Sequence, residues 1–111
     1  MISGNAYAEL QIKDSESTNE IGEKIIFWKP IKETIYGWLD LSTGDAKYTT
    51  FNAKIQESTH VFVCDYINLN GVTAENSRML INSSIYDITY IDNPMNLNIQ
   101  LEFYLKLTGG D

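Results

Sequence analysis

The chain has 111 residues, 43% of them hydrophobic and 21% charged, which is enough for one domain with its own core and excludes a mainly disordered protein. Fifteen acidic residues against eight basic ones give a net charge of -7, and the lack of a basic cluster excludes nucleic-acid binding driven by phosphate contacts. A single cysteine and a single histidine exclude an intrachain disulfide and a Cys/His metal site.

In the first half of the chain, alternating apolar and polar residues from Ala6 to Ile12 predict a first strand. The next stretch, residues 14–20, contains no apolar residue and predicts an exposed loop. Two extended segments follow, at Lys24–Trp28 and Thr34–Leu41, and we expect Pro30 to interrupt the chain between them.

The segment from Thr43 to Glu57 is ambiguous. Tyr48, Phe51 and Ile55 have helical spacing, although the last two also fit the alternation of a strand. We predict a short helix here, inside a long insertion between two strands. The two β-branched threonines before Phe51 weaken that helix, so contacts with the rest of the molecule or with neighbouring subunits would have to stabilise it.

Four further strand signals occupy the second half of the chain, separated by a loop over residues 68–76 and two short turns. They cover His60–Ile67, Arg78–Asn82, Ile85–Ile91 and Leu97–Leu107, with turns at Ser83-Ser84 and Asn93-Pro94 and a frayed tail over residues 108–111. About six strands with one helical insertion predict a mainly β fold, a small antiparallel β-barrel or sandwich forming a single domain over residues 1–111. The expected core residues are Phe62, Tyr66, Ile88, Leu101, Phe103 and Leu105.

The reactive side chains do not form a recognisable catalytic or ligand-binding pattern. His60 starts a strand, where a hydrogen-bonded structural role is the commoner one, and Cys64 reads as a small core residue. Tyr86 and Tyr90 could share a strand face on which bases stack, but their segments are neutral or acidic and core packing is preferred. We therefore expect no catalytic residue, cofactor or metal, and no enzymatic activity.

One ordered pattern of residues spans most of the chain. It runs from Gly22 through Trp28 to the turn Leu41-Ser42-Thr43-Gly44, then through Phe51–Gln56, Ser58-Thr59-His60, Asp65-Tyr66, Met79, the Ser83-Ser84 turn, Ile85–Ile88 and the last alternating strand. Over residues 6–107 this pattern resembles the phage head–tail joining family, whose members are small head-closure, or stopper, proteins.

The resemblance implies a structural protein of the phage virion at the head–tail interface, present in the host cytoplasm during assembly. In this family, copies form a dodecameric ring below the portal and its adaptor, retain the packaged genome and dock the tail. The implied partners are the portal-bound adaptor protein and the tail-completion protein, while DNA passes through the channel without sequence-specific binding and no membrane is involved. The insertion, residues 43–57, would face the channel or a neighbouring subunit, with Asp45, Lys47, Tyr48 and Phe51 as contact residues.

The net charge of -7 suits such a channel, because carboxylates do not grip passing phosphates, although it also serves plain solubility. Two alternatives stay open. One is another virion protein, a tail-completion or tail-terminator protein. The other belongs to a different class, a small intracellular β module that binds nucleic acid or protein, and an enzyme ranks below both.

Overall fold

Pairing between strands closes a ring in this computed structural model, which describes residues 4–41 and 58–110. Its strands are β1 (Ala6–Thr18), β2 (Lys24–Leu41), β3 (His60–Asp65), β4 (Ser77–Ile81), β5 (Ser84–Asp92) and β6 (Gln100–Gly110). All pair antiparallel in the order β1-β2-β3-β6-β5-β4, with β4 returning to β1, so they form a closed barrel. The predicted mainly β, antiparallel class is confirmed, and the predicted helix lies in residues 42–57, outside the described residues.

Alternate residues of the strands fill the barrel, because successive side chains point to opposite faces. Cross-strand pairs place Phe62 opposite Phe103 and Cys64 opposite Leu101. The buried apolar residues are Ala6, Ala8, Leu10, Ile35, Phe62, Cys64, Met79, Ile81, Tyr86, Ile88, Leu101, Phe103 and Leu105. Five of the six expected core residues are therefore confirmed. The prediction that Tyr66 lies in the core is wrong, because β3 ends one residue earlier and the tyrosine is 38% exposed.

Residues 108–110 form part of a paired strand and not the predicted frayed tail. β6 continues to Gly110, with Gly109 opposite Ile85. An extra residue at Thr108 bulges β6 at this point, and the Thr108 hydroxyl donates a hydrogen bond to the Ile85 carbonyl at 3.1 Å. The prediction is corrected for residues 108–110, because pairing to β5 holds a segment that its composition alone would leave loose.

A second bulge reverses the faces of β5. Thr89 is an extra residue between the pairs Ile88–Leu105 and Tyr90–Tyr104, and its hydroxyl donates to the Tyr104 carbonyl at 3.0 Å. The one-residue shift moves every later side chain to the opposite face. Tyr86 is therefore buried inside the barrel while Tyr90 lies outside, so the expectation that these tyrosines share a face is wrong.

β1 and β2 form a ribbon longer than the sequence suggested. Residues 14–18 belong to β1, and residues 15–18 pair with Lys24–Phe27, so the predicted exposed loop is an exposed strand instead. Pro30 does not interrupt β2; it pairs with Gln11 beside a shift in register. This stretch of β2 has only β1 as a neighbour among the described strands, and such edges and bulges tolerate a residue without an N–H donor.

The two ends of the barrel carry different connections. The outer part of the β1–β2 ribbon, the loop 66–76 and the turn 93–99 all leave one end, because the strands alternate in direction. Leu41 and Ser58, which flank the 42–57 segment, lie at the other end with the Asn82-Ser83 turn and Gly110. Asn82 and Ser83 have φ of 51° and 68°, as a tight two-residue hairpin turn requires.

Candidate interaction surface

A two-stranded arm, residues 13–29, projects past the barrel. Pairing of β1 with β4 ends at Ile12, and pairing of β2 with β3 begins only at Gly37. Between those points the ribbon has no strand neighbour other than its own two halves within the described residues. A hairpin of this kind is marginal alone, so its tip and its base have to be held by side chains.

The tip of the arm is a turn that hydrogen bonds to Asn19 stabilise. The side-chain oxygen of Asn19 accepts hydrogen bonds from the backbone N–H groups of Ile21 and Glu23, at 3.1 and 2.9 Å. Gly22 follows with φ of 88°, a conformation that favours glycine, and its N–H donates to the Asn19 carbonyl. This turn presents Ile21, 79% exposed, at the end of the arm.

Large apolar side chains along the arm are open to solvent on both faces. Phe27 is 50% exposed because the residue opposite it on β1 is Ser15, which is too small to cover a ring. Ile25 lies opposite another serine, and both Ile25 and Ile26 are about two-fifths exposed. Several large apolar side chains exposed at neighbouring positions of an ordered hairpin are typical of a site of interaction with another molecule.

The base of the arm is fixed to the barrel by one cation and one aromatic ring. The Arg78 guanidinium on β4 lies 4.4 Å from the centre of the Trp28 ring, and its Nε donates to Gln11 Oε1 at 2.7 Å. Burial in this contact lowers the pKa of Arg78, an effect that Asp87 and Glu9 oppose. A stacked, hydrogen-bonded arginine sets the direction in which the arm leaves the barrel.

The outer surface of β3, β6 and β5 forms a second candidate surface, here called the acidic-aromatic face. It consists of Val61, Val63, Tyr90, Asp92, Glu102 and Tyr104, all half-buried. In the cross-strand rows, Glu102 lies between Val63 and Asp92, and Tyr104 lies between Val61 and Tyr90. The Tyr104 hydroxyl donates to Glu102 at 3.0 Å, and the two tyrosine rings are 6.1 Å apart.

Two carboxylates on this face oppose each other without a cation in their row. Burial, and then the charge of Glu102, raises the pKa of Asp92. Burial and the hydrogen bond to Glu102 likewise raise the pKa of Tyr104. Asp87, earlier in β5, has cations on both sides, because its cross-strand row places it between Arg78 and Lys106. The Asp92–Glu102 pair is therefore the place on this face where an incoming cation would relieve repulsion.

Replacing Asp92 with asparagine is expected to raise the melting temperature at pH 7. The pKa of Asp92 is raised in the folded chain, so folding disfavours its charged form and stability falls as the pH rises past 3.8. The gain should shrink as the pH is lowered through the folded-state pKa and vanish below the ordinary value of 3.8, where the carboxyl is protonated in the folded and unfolded chain alike. Melting curves of both proteins between pH 3 and 7 measure this; an equal gain at every pH would contradict the electrostatic cause.

The site residues named from the sequence, Asp45, Lys47, Tyr48 and Phe51, all lie in the 42–57 segment, outside the described residues. Their role in a channel or subunit contact stays a prediction. The sequence reasoning missed the arm because residues 14–20 contain no apolar side chain. The available signal was the pair Asn19 and Gly22, turn residues between two segments of similar length.

The two reactive side chains singled out from the sequence occupy structural positions. The His60 Nδ1 lies 2.8 Å from the Thr59 hydroxyl, and its ring meets the Tyr86 ring edge-on at 5.1 Å. Cys64 is buried, as expected, and burial raises the pKa of its thiol to about 12, with a smaller contribution from Asp65. A thiol in that state is a poor nucleophile.

Within residues 4–41 and 58–110, no group of three or more histidine, cysteine or acidic side chains could hold a metal ion. The same part of the chain contains no helix with the length and apolarity of a membrane span. Neither a protein-family model nor a curated protein matches this sequence. The resemblance to the head–tail joining family therefore stays a prediction.

Proposed function

We propose that the protein is a structural, non-enzymatic component of the phage virion at the head–tail interface. Copies form a ring below the portal and its adaptor, close the DNA-filled head and give the tail its docking surface. The adaptor and the tail-completion protein are its neighbours, and the packaged DNA passes through the ring without sequence-specific contacts. The protein acts in the virion and is present in the host cytoplasm during assembly.

The observation that carries this proposal is the division of contact surfaces between the ends of the barrel. One end bears the apolar-tipped arm, and Leu41 and Ser58 at the other end bracket the 42–57 segment assigned to the channel. A connector needs separate surfaces for its own neighbours and for the components above and below it. A small closed barrel provides them, because its own core is complete without those contacts.

Charge supports the same role. The described residues outside residues 13–33 carry seven acidic side chains and two basic ones. A barrel surface with this balance does not form the phosphate contacts that would arrest DNA moving past it. Outside the arm, the described barrel also lacks a positive groove beside its aromatic residues, which a single-strand binding barrel requires.

The test is electron microscopy of phage particles made without this protein. Heads that have lost their DNA and carry no tail are the expected result, because nothing closes the portal or receives the tail. Full heads beside malformed tails would instead identify a tail-completion or terminator protein. A salt-dependent affinity of the purified chain for single-stranded DNA, with normal particles in its absence, would indicate the nucleic-acid binding module and reject the proposal.

A further inference from the structure

The β2 half of the arm and its continuation combine apolar and cationic side chains. Residues 24–32 contain three lysines, at positions 24, 29 and 32, and no acidic residue. Between the lysines lie Ile25, Ile26, Phe27 and Ile31, each at least 38% exposed. This segment is the most basic stretch of an otherwise acidic chain, and it forms a strand edge that β3 leaves unpaired in the described structure.

A groove of about 420 Å³ lies beside the acidic-aromatic face. The loop 66–76 forms one wall, and β5 from Thr89 to Ile91 forms the other. Its apolar lining comes from Leu69, Val72, Ala74, Tyr90 and Ile91. Glu75 lies on its rim, and Asp92 follows directly after its last residue on β5. The groove is therefore apolar inside and acidic around its edge.

These two surfaces complement each other in size, polarity and charge. An apolar cavity of about 150 Å³ is enough to hold a benzene ring, so the groove has room for the Phe27 side chain and a neighbour. Lysines beside Phe27 would meet Glu75 and the Asp92–Glu102 pair, whose mutual repulsion they would relieve. We infer that the arm of one copy docks in this groove of a second copy, with Phe27 inside and Lys24 and Lys29 against the acidic rim.

A contact between two different surfaces of the same chain is heterologous, and repeating it closes a ring when the rotation between copies allows. The inference rests on the proposed function, which requires contacts between copies, and it names the surfaces that make them. In the same copy the arm starts from β1 and β2, and β4 lies between these strands and the β5 wall of the groove. Trp28 and Arg78 fix the direction of the arm at its base.

Two variants of the full chain test the arm and the groove separately. Phe27→Ser alters the arm at a half-exposed position and leaves the groove intact, whereas Glu75→Arg with Asp92→Arg alters the groove rim and leaves the arm intact. Tyr7→Ser is the matched control, because Tyr7 is 61% exposed and lies outside both surfaces. Circular dichroism checks the fold of each protein, and sedimentation velocity with native mass spectrometry measures assembly.

Each contact variant alone is expected to self-associate about 10- to 100-fold more weakly than the unaltered chain, as the loss of one buried aromatic implies, and Tyr7→Ser should be unchanged. Mixed together, the two variants should form a one-to-one heterodimer and nothing larger, because only one intact arm and one intact groove remain. A Phe27→Ser chain that assembles normally, or a mixture that does not pair, would overturn this contact. The particle experiment is independent of it, so rings that form through other surfaces would leave the proposed function standing.

Discussion

The replacement Phe103→Ala is expected to lower the free energy of unfolding by about 3 to 5 kcal/mol. Phe103 has no exposed surface and lies on β6, the strand that pairs with both β3 and β5. Its cross-strand neighbours are Phe62 and Ile91, so alanine leaves a cavity at the centre of the barrel. Backbone pairing on both sides of β6 prevents the walls from closing that cavity.

Urea denaturation of both proteins measures the loss. Leu107→Ala is the matched control, because Leu107 is a large apolar residue of the same strand that is 46% exposed. The control should cost less than about 1.5 kcal/mol, since much of its side chain gives up no contact on truncation. Equal losses for the two variants would show that the assignment of the inner face of β6 is wrong.

Strong alternation made the barrel predictable. In β6 every second residue from Leu101 to Leu105 is apolar, and the structure buries those residues. The sequence was less informative where a strand depends on its partner. Residues 14–18 have no apolar side chain, and they become a strand through pairing with residues 24–27 and the Asn19 turn. Neither the pairing nor the turn can be predicted from the composition of residues 14–18 alone.

Bulges limited the prediction in a different way. Thr89 and Thr108 each add one residue to a strand, and both bond through their hydroxyls to the opposite strand. The sequence alone does not show where such an extra residue lies. A strict alternation therefore predicts Tyr90 on the same face as Tyr86, which is wrong. The interaction surfaces depend on this shift, because it brings Tyr90 and Asp92 to the outside of the barrel.

The candidate interaction surfaces could be predicted only in part from the sequence, for a related reason. Whether an apolar side chain is exposed depends on the residues that pack against it in the fold. Phe27 is exposed because Ser15 lies opposite it. The acidic-aromatic face similarly joins β3, β5 and β6, with Glu102 meeting Asp92 across ten positions of chain. Net charge indicated that the protein is acidic, whereas the register shows where that charge is concentrated.

A single methyl group at Gly37 is expected to destabilise the barrel by about 1 to 3 kcal/mol. A Cβ there would lie 2.5 Å from the Val63 carbonyl oxygen and 2.6 Å from Cζ of Phe62. The first of these atoms is backbone and cannot move without shifting β3. Gly109→Ala is the control, because no atom lies within 4 Å of the added Cβ.

Denaturant melts of Gly37→Ala, Phe62→Leu and the double variant identify the cause of the loss. Leucine lacks the ring atoms that the new methyl group would meet, so Gly37→Ala should cost less in the Phe62→Leu background than in the unaltered chain. Equal costs in both backgrounds would mean that the ring is not the obstacle. Gly37 is also the first residue of β2 that pairs with β3 after the strand has left the arm. A displacement there changes the direction of the arm, so Gly37→Ala should weaken association between copies as well, even in solutions where the barrel remains folded.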